Sequence, residues 1–304
     1  MEGAGPVVPP PFLSPQRKLL VSRRRHLRLW ITLVLLASLV AGGIWVAVQL
    51  THTISAEGPE LCTADVSGQK FQLTPEQSVY ASLISAVGVS RELPPRASSI
   101  AIATAIQESN LRNLNYGDAA GPDSRGLFQQ RPSQGWGTEA QIMDPYYSTA
   151  TFYKALVKVP NYQSIPLTEA AQTVQRSAFP EAYADHESEG RAFASSLTGQ
   201  SPASFSCSLS PASGAGDPQA VRKELAKAFP HLGLEGSGRE VRVDVSGTTG
   251  WAVAHWAVAH AKTYGIDRVD YNTQTWLREN RDGWRSTHSL GQQVVITLAS
   301  GPGA

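Results

Sequence analysis

The run Ala105-Ile106-Gln107-Glu108-Ser109-Asn110-Leu111 closes an apolar stretch on one carboxylate. It is followed by Gly117-Asp118 and then by Asp123-Ser124-Arg125-Gly126-Leu127-Phe128-Gln129-Gln130-Arg131. A lone acid with apolar neighbours, faced by a polar, glycine-containing loop, has the residue types needed to cleave a polysaccharide. Burial disfavours the charged form of a carboxyl, so such an acid keeps its proton near neutral pH and can donate it to a glycosidic oxygen. Glu108 is therefore the expected general acid. The plainer alternative is an exposed glutamate at a helix end, paired with Arg112 four positions on.

The elements that would position this acid are mostly helical. Ser98 to Gln107 is apolar on nearly all sides, which predicts a helix buried on most faces. Further helices are expected near Pro75–Val87, Ala97–Glu108, Tyr147–Leu156, Leu167–Arg176 and Tyr183–Ser196, with few strands among them. Trp136, Tyr146, Tyr147, Phe152 and Tyr153 are candidate stacking surfaces for sugar rings, although aromatic residues more often fill cores. Trp136 stands out because Gly135 and Gly137 flank it, which favours a loop.

Glu108-Ser109-x-Leu111 followed by Gly126-Leu127-Phe128-Gln129 resembles the Glu-Ser and Gly-Leu-(Met/Phe)-Gln motifs of the lytic transglycosylase and goose-type lysozyme superfamily. The longer text from Asp123 through Gln130-Arg131-Pro132-Ser133-Gln134-Gly135-Trp136-Gly137-Thr138 is similar to a lysozyme-like domain of membrane-anchored or secreted actinobacterial proteins. Asp144-Pro145-x-Tyr147, Phe152-Tyr153 and Val174-Gln175-Arg176-Ser177-Ala178-Phe179-Pro180-x-Ala182-Tyr183 extend the resemblance, which covers about Leu73 to Phe193.

The resemblance implies that Glu108 is the acid and that Gly126, Leu127, Phe128 and Gln129 line a saccharide groove, with Ser124 and the loop residue Trp136 as further candidate contacts to the substrate. Gln129 would bond an N-acetyl or hydroxyl group, and Tyr183 would lie near the acid. It also implies cleavage of peptidoglycan glycan strands by a lytic transglycosylase or muramidase-like reaction, with no metal or organic cofactor. Glycosidases normally use two acids, whereas the resembled transglycosylases work with one Glu as acid and then base and leave an anhydro sugar end. A second carboxylate, Asp118 or Asp123, would permit hydrolysis instead. Both aspartates sit in a Gly/Pro-containing loop and read equally well as turn residues. A protein of another class, one that binds or assembles cell wall with a lysozyme-like groove and no catalysis, is the alternative.

Residues Leu29 to Val48 carry no charge, a length that suits a bilayer's hydrocarbon core. Arg17, Lys18, Arg23, Arg24, Arg25 and Arg28 precede them, whereas Glu57, Glu60 and Asp65 follow. This asymmetry predicts a single-pass transmembrane helix over 29–50, with a cytoplasmic N-terminus and the bulk of the chain extracellular. A cleaved signal peptide is the competing reading. The net charge is +1, and the part after the apolar run is mildly acidic, which argues against nucleic acid as a partner. The two cysteines, Cys62 and Cys207, bracket the resembled domain and would pair in an oxidising exterior; the alternative is two separate thiols.

The expected organisation is a disordered basic cytoplasmic tail at 1–28, the membrane helix at 29–50 and a linker at 51–72. A mainly α lysozyme-like domain at 73–197 follows, then a Ser/Gly/Pro-rich linker at 198–218 and a small α/β (α+β) C-terminal domain at 219–304. In that last part Val221–Phe229 and Trp251–Thr263 read as helices, and Val241–Val245, Arg268–Tyr271 and Val294–Leu298 as strands.

The C-terminal part resembles a domain that accompanies several actinobacterial cell-wall proteins, through Asp244, Val253-Ala254-x-Trp256, Tyr264-Gly265-Ile266, Val269, Trp276 and Gly283-Trp284. Members of that family end in a His-x-Asp-His-x-His-type run. Here Leu290-Gly291-Gln292-Gln293-Val294-Val295-Ile296-Thr297 stands in its place, leaving Asp244 and His288, too few for a catalytic zinc site. A degenerate accessory module is expected, a candidate surface for wall polymer or a cell-wall protein. His255 and His260, five apart on a helix, point about 140 degrees apart and do not form an i, i+4 ligand pair.

Overall fold

The computed structural model describes residues 30–46, 58–119, 121–177, 180–287 and 291–301. It divides into two units, Met1–Gly58 and Pro59–Ala304. In the first, helix α1 runs over residues 30–46 with every side chain exposed. Among the described residues no helix is long and apolar enough to cross a membrane. The expected transmembrane helix over 29–50 is corrected accordingly. The tail at 1–28 lies outside the described residues.

The second unit combines its helices with two antiparallel sheets, and this corrects the expectation of a mainly α domain followed by a small α/β one. Strands β1 (Leu61–Val66), β2 (Gln69–Leu73) and β3 (Phe205–Ser208) form an antiparallel sheet in the order β2-β1-β3. They occupy the segments read as linkers. Cys62 and Cys207 are directly opposed in the β1–β3 register and form a disulfide, as the sequence led us to expect.

Between these strands lie helices α2 (Pro75–Ser90), α3 (Pro95–Ser109), α4 (Glu139–Met143), α5 (Pro145–Leu156), α6 (Leu167–Gln175) and α7 (Glu187–Leu197). Local chemistry fixes their starts. Thr74 and Gln77 form a reciprocal capping box at α2, Thr138 and Gln141 form one at α4, and Asp144 accepts from the amides of Tyr146 and Tyr147 at α5. Pro75, Pro95 and Pro145 each occupy the first turn, where the missing amide hydrogen costs nothing. Helix α3 is the axis of this half: Ala97 to Ile106 is buried without interruption. Helix α7 lies directly against it, because a Cβ on Gly190 would stand 2.8 Å from the Ser99 carbonyl oxygen.

The chain continues through α8 (Pro218–Ala228), β4 (Gly233–Glu235), β5 (Glu240–Asp244), α9 (Gly247–Ala259), α10 (Ala261–Tyr264), β6 (Ile266–Tyr271), β7 (Gln274–Leu277), β8 (Trp284–Ser286) and β9 (Gln293–Leu298). The six strands form an antiparallel sheet in the order β4-β5-β9-β6-β7-β8. Alternation buries Val241, Val243, Val294, Ile296, Leu298 and Trp276. Helix α9, apolar all round and buried from Gly250 to Ala259, packs against β6 and β9 and also against α2, α7 and β3. It thus joins both halves into one core, and Pro59–Ala304 is a single compact unit. A Cβ on Gly250 would overlap the Tyr271 ring, so this close approach requires glycine.

Candidate active site

Glu108 lies in the last turn of α3. The helix stops because Asn110 and Leu111 both take left-handed backbone, with φ of 52° at each. The Asn110 amide bonds the Ile106 carbonyl, and the Gln77 side chain caps the Asn110 carbonyl from α2. The carboxyl is half-buried. Tyr183 Oη donates to Glu108 Oε1 at 2.6 Å, and the Gln175 side chain also bonds the carboxyl. Burial holds Glu108 above the usual carboxylate range; the bonds from Tyr183 and Gln175 oppose that rise, and the negative charge of Asp118 adds to it. Arg112 does not pair with it: its Nε donates to the Ser109 carbonyl oxygen.

The 123–131 loop is anchored to α3 from below. Ser109 Oγ donates to the Leu127 carbonyl oxygen at 2.8 Å. Leu127 and Phe128 are wholly buried, and Phe128 stacks on Phe152 with ring centroids 4.5 Å apart. Gly126 has φ of +76°, and a Cβ there would stand 2.8 Å from the Ile142 carbonyl oxygen, so both conformation and space demand glycine. Gln175 Nε2 donates to the Phe128 carbonyl oxygen at 2.8 Å. Gln175 therefore ties the loop to the acid.

Above this foundation lies a cleft of about 500 Å³, with Glu108, Asp118, Ser124, Gln129, Trp136 and Gln175 in its walls. Of the residues expected to line a groove, the structure brings Ser124, Gln129 and Trp136 to the cleft with Glu108. Gly126, Leu127 and Phe128 lie beneath it as supports. Tyr183 is buried, and it reaches Glu108 from behind. Gln129 adopts φ of 46°, a conformation rare for a residue with a side chain, and its Nε2 donates to the Gly126 carbonyl oxygen. A strained residue in a cleft wall is a common accompaniment of function.

The two candidate second carboxylates separate. Asp118 lines the cleft and accepts from the Gly121 amide at 2.8 Å. Asp123 lies outside the lining: it accepts from Arg131 Nε at 2.7 Å and the Ser133 amide at 3.1 Å, which hold it far below the usual carboxylate range. It is a clamp for the loop. The aromatic candidates also divide. Phe152 and Tyr153 are core, Tyr146 donates to Glu224, and Tyr147 donates to the Trp136 carbonyl oxygen, which leaves the Trp136 ring as the cleft wall.

Gln107, Tyr116, Gln134, Gln175 and Arg176 also line the cleft and were not singled out from sequence. Gln175 and Arg176 stood within the resembled text. Their placement at the end of α6 is a tertiary fact that local pattern does not carry.

In the C-terminal half, His255 and His260 are buried. His255 Nδ1 bonds the Ser196 carbonyl oxygen at 2.7 Å, and His260 Nδ1 bonds that of Trp256 at 2.9 Å. Both serve packing between the halves. His288 lies outside the described residues, and among those described no cluster of three His, Cys, Asp or Glu residues could hold a metal ion. No protein-family model matches the chain, and no curated protein sequence matches it.

Proposed function

We propose that this protein cleaves the glycan strands of peptidoglycan between N-acetylmuramic acid and N-acetylglucosamine, with Glu108 as the proton donor. The observation that carries the reading is Glu108 itself. It is a half-buried carboxyl whose hold on its proton is strengthened by desolvation, bonded by Tyr183 and Gln175, at the wall of an open polar cleft. A protonated acid of this kind delivers its proton to the leaving oxygen as the glycosidic bond lengthens. The side-chain oxygens of the cleft, Gln129 among them, face the positive charge that develops at the anomeric carbon.

Once deprotonated, Glu108 serves as base. In a transglycosylase it takes a proton from the sugar's own hydroxyl, which closes on the anomeric carbon. Hydrolysis would draw on Asp118, whose charge already acts on Glu108. The Cys62–Cys207 disulfide suits an oxidising compartment and therefore a wall substrate outside the cytoplasm. The test is Glu108→Gln assayed for clearing of insoluble wall. The reading expects clearing to be lost with the fold retained, and unchanged clearing would overturn it.

A further inference from the structure

The cleft does not end at Trp136. A second arm of about 570 Å³ adjoins it, sharing Gln134, Trp136, Gln175 and Arg176 and continuing past Lys158 at the end of α5. No acidic side chain lines this arm. Its two cations are exposed, and neither Arg176 nor Lys158 forms an ion pair with a described residue. Arg176 is moreover the C-cap of α6 with φ of 54°, a left-handed position where glycine or asparagine costs less. An arginine held there, next to the glutamine that bonds the acid, projects its charge at the junction of the two arms.

From this we infer that the second arm is a subsite for carboxylates on the peptide branches of the glycan, with Arg176 and Lys158 as the recognising charges. The inference rests on the proposed function and names the substrate feature that the same cleft selects. A neutral polysaccharide would leave both cations without a counter-charge. A branched strand threaded past Glu108 places branch carboxylates alongside them, where Arg can hold a carboxylate by two parallel N–H bonds.

The experiment measures binding in the non-cleaving Glu108→Gln background of the full chain. Its ligands are soluble glycan strands bearing peptides and the same strands with the peptides removed. The background should prefer the peptide-bearing strands, and adding Arg176→Asn with Lys158→Gln should erase that preference by roughly three- to tenfold. Asparagine tolerates the left-handed backbone, so the fold is kept, and Arg176→Lys should restore part of the preference. Equal loss on both ligands, or an unchanged preference, overturns the inference. Because binding is read without turnover, a wild-type chain that binds but never cleaves would refute the proposed activity and leave this comparison decisive on its own.

Discussion

Tyr183 Oη donates to Glu108 Oε1 across 2.6 Å, joining the end of α3 to a residue 75 positions later in the chain. The phenol is itself pushed far above its ordinary range by burial and by the adjoining carboxylate, so it remains a donor at every working pH. Its bond favours the charged form of Glu108 and restrains the rise that burial imposes. Tyr183→Phe removes this restraint. The alkaline limb of the pH–rate profile, which reports loss of the acid's proton, should move upward, and the rate should fall as the carboxyl loses its orientation. A profile unchanged in both respects would contradict the assignment.

Glu108 should cost the fold stability when charged. Its folded pKa lies above the unfolded value, so the native state binds more protons than the unfolded chain as pH rises through the ordinary carboxylate range. Stability from this group is complete below that range and is lost as pH rises through the folded pKa. Glu108→Gln carries no such charge. Its melting temperature should exceed that of the wild type at pH 7, and the difference should vanish near pH 4, as calorimetry at the two pH values would show.

His255 and His260 act in the opposite pH direction. Both are wholly buried and burial lowers each from 6.5 to about 4. Unfolded chains take up these protons first, so the stability present above pH 6.5 drains away as pH falls through 4. Each histidine accounts for about 3 kcal/mol across that window. Urea midpoints should fall between pH 6.5 and 4, and His255→Gln should flatten that dependence while weakening the fold at neutral pH. A midpoint indifferent to pH would refute this role.

The disulfide fastens β1 to β3 across a sequence separation of 145 residues. Replacing Cys62 and Cys207 together with alanine should lower unfolding free energy by ~2–5 kcal/mol, measured by denaturant titration. The architecture should remain, since the β1–β3 ladder also holds these strands together.

How much of this was legible in the sequence follows from the range of each interaction. Helices α2, α3, α5 and α6 are continuous runs of local sequence, with caps at α2 and α5 and prolines at or just before the starts of all four, so they could be read locally. The apolar surroundings of Glu108 could be read in the same way, because Ala101 to Ile106 are its chain neighbours. The two cysteines announced a pairing. By contrast, β1, β2 and β3 are short, and β3 finds its partner β1 more than a hundred residues away, so the Ser/Gly/Pro-rich stretch that holds β3 looked like a linker. The uniformly apolar α9 gave no sign that it serves two sheets and α2 at once. The membrane reading rested on composition alone, and among the described residues no helix is long and apolar enough to cross a membrane. Within the loop, sequence could not distinguish Asp118 from Asp123, because what separates them is Arg131 folding back on Asp123.

Glycan cleavage by Glu108 is tested most directly by mass spectrometry of the soluble products released when the purified chain is incubated with peptidoglycan, beside the Glu108→Gln variant. The account predicts muropeptides from the wild type, anhydro-ended if Glu108 works alone and reducing-ended if Asp118 directs water, with none from the variant. Wall that is bound but yields no fragments, or fragments in equal amount from both proteins, would contradict it.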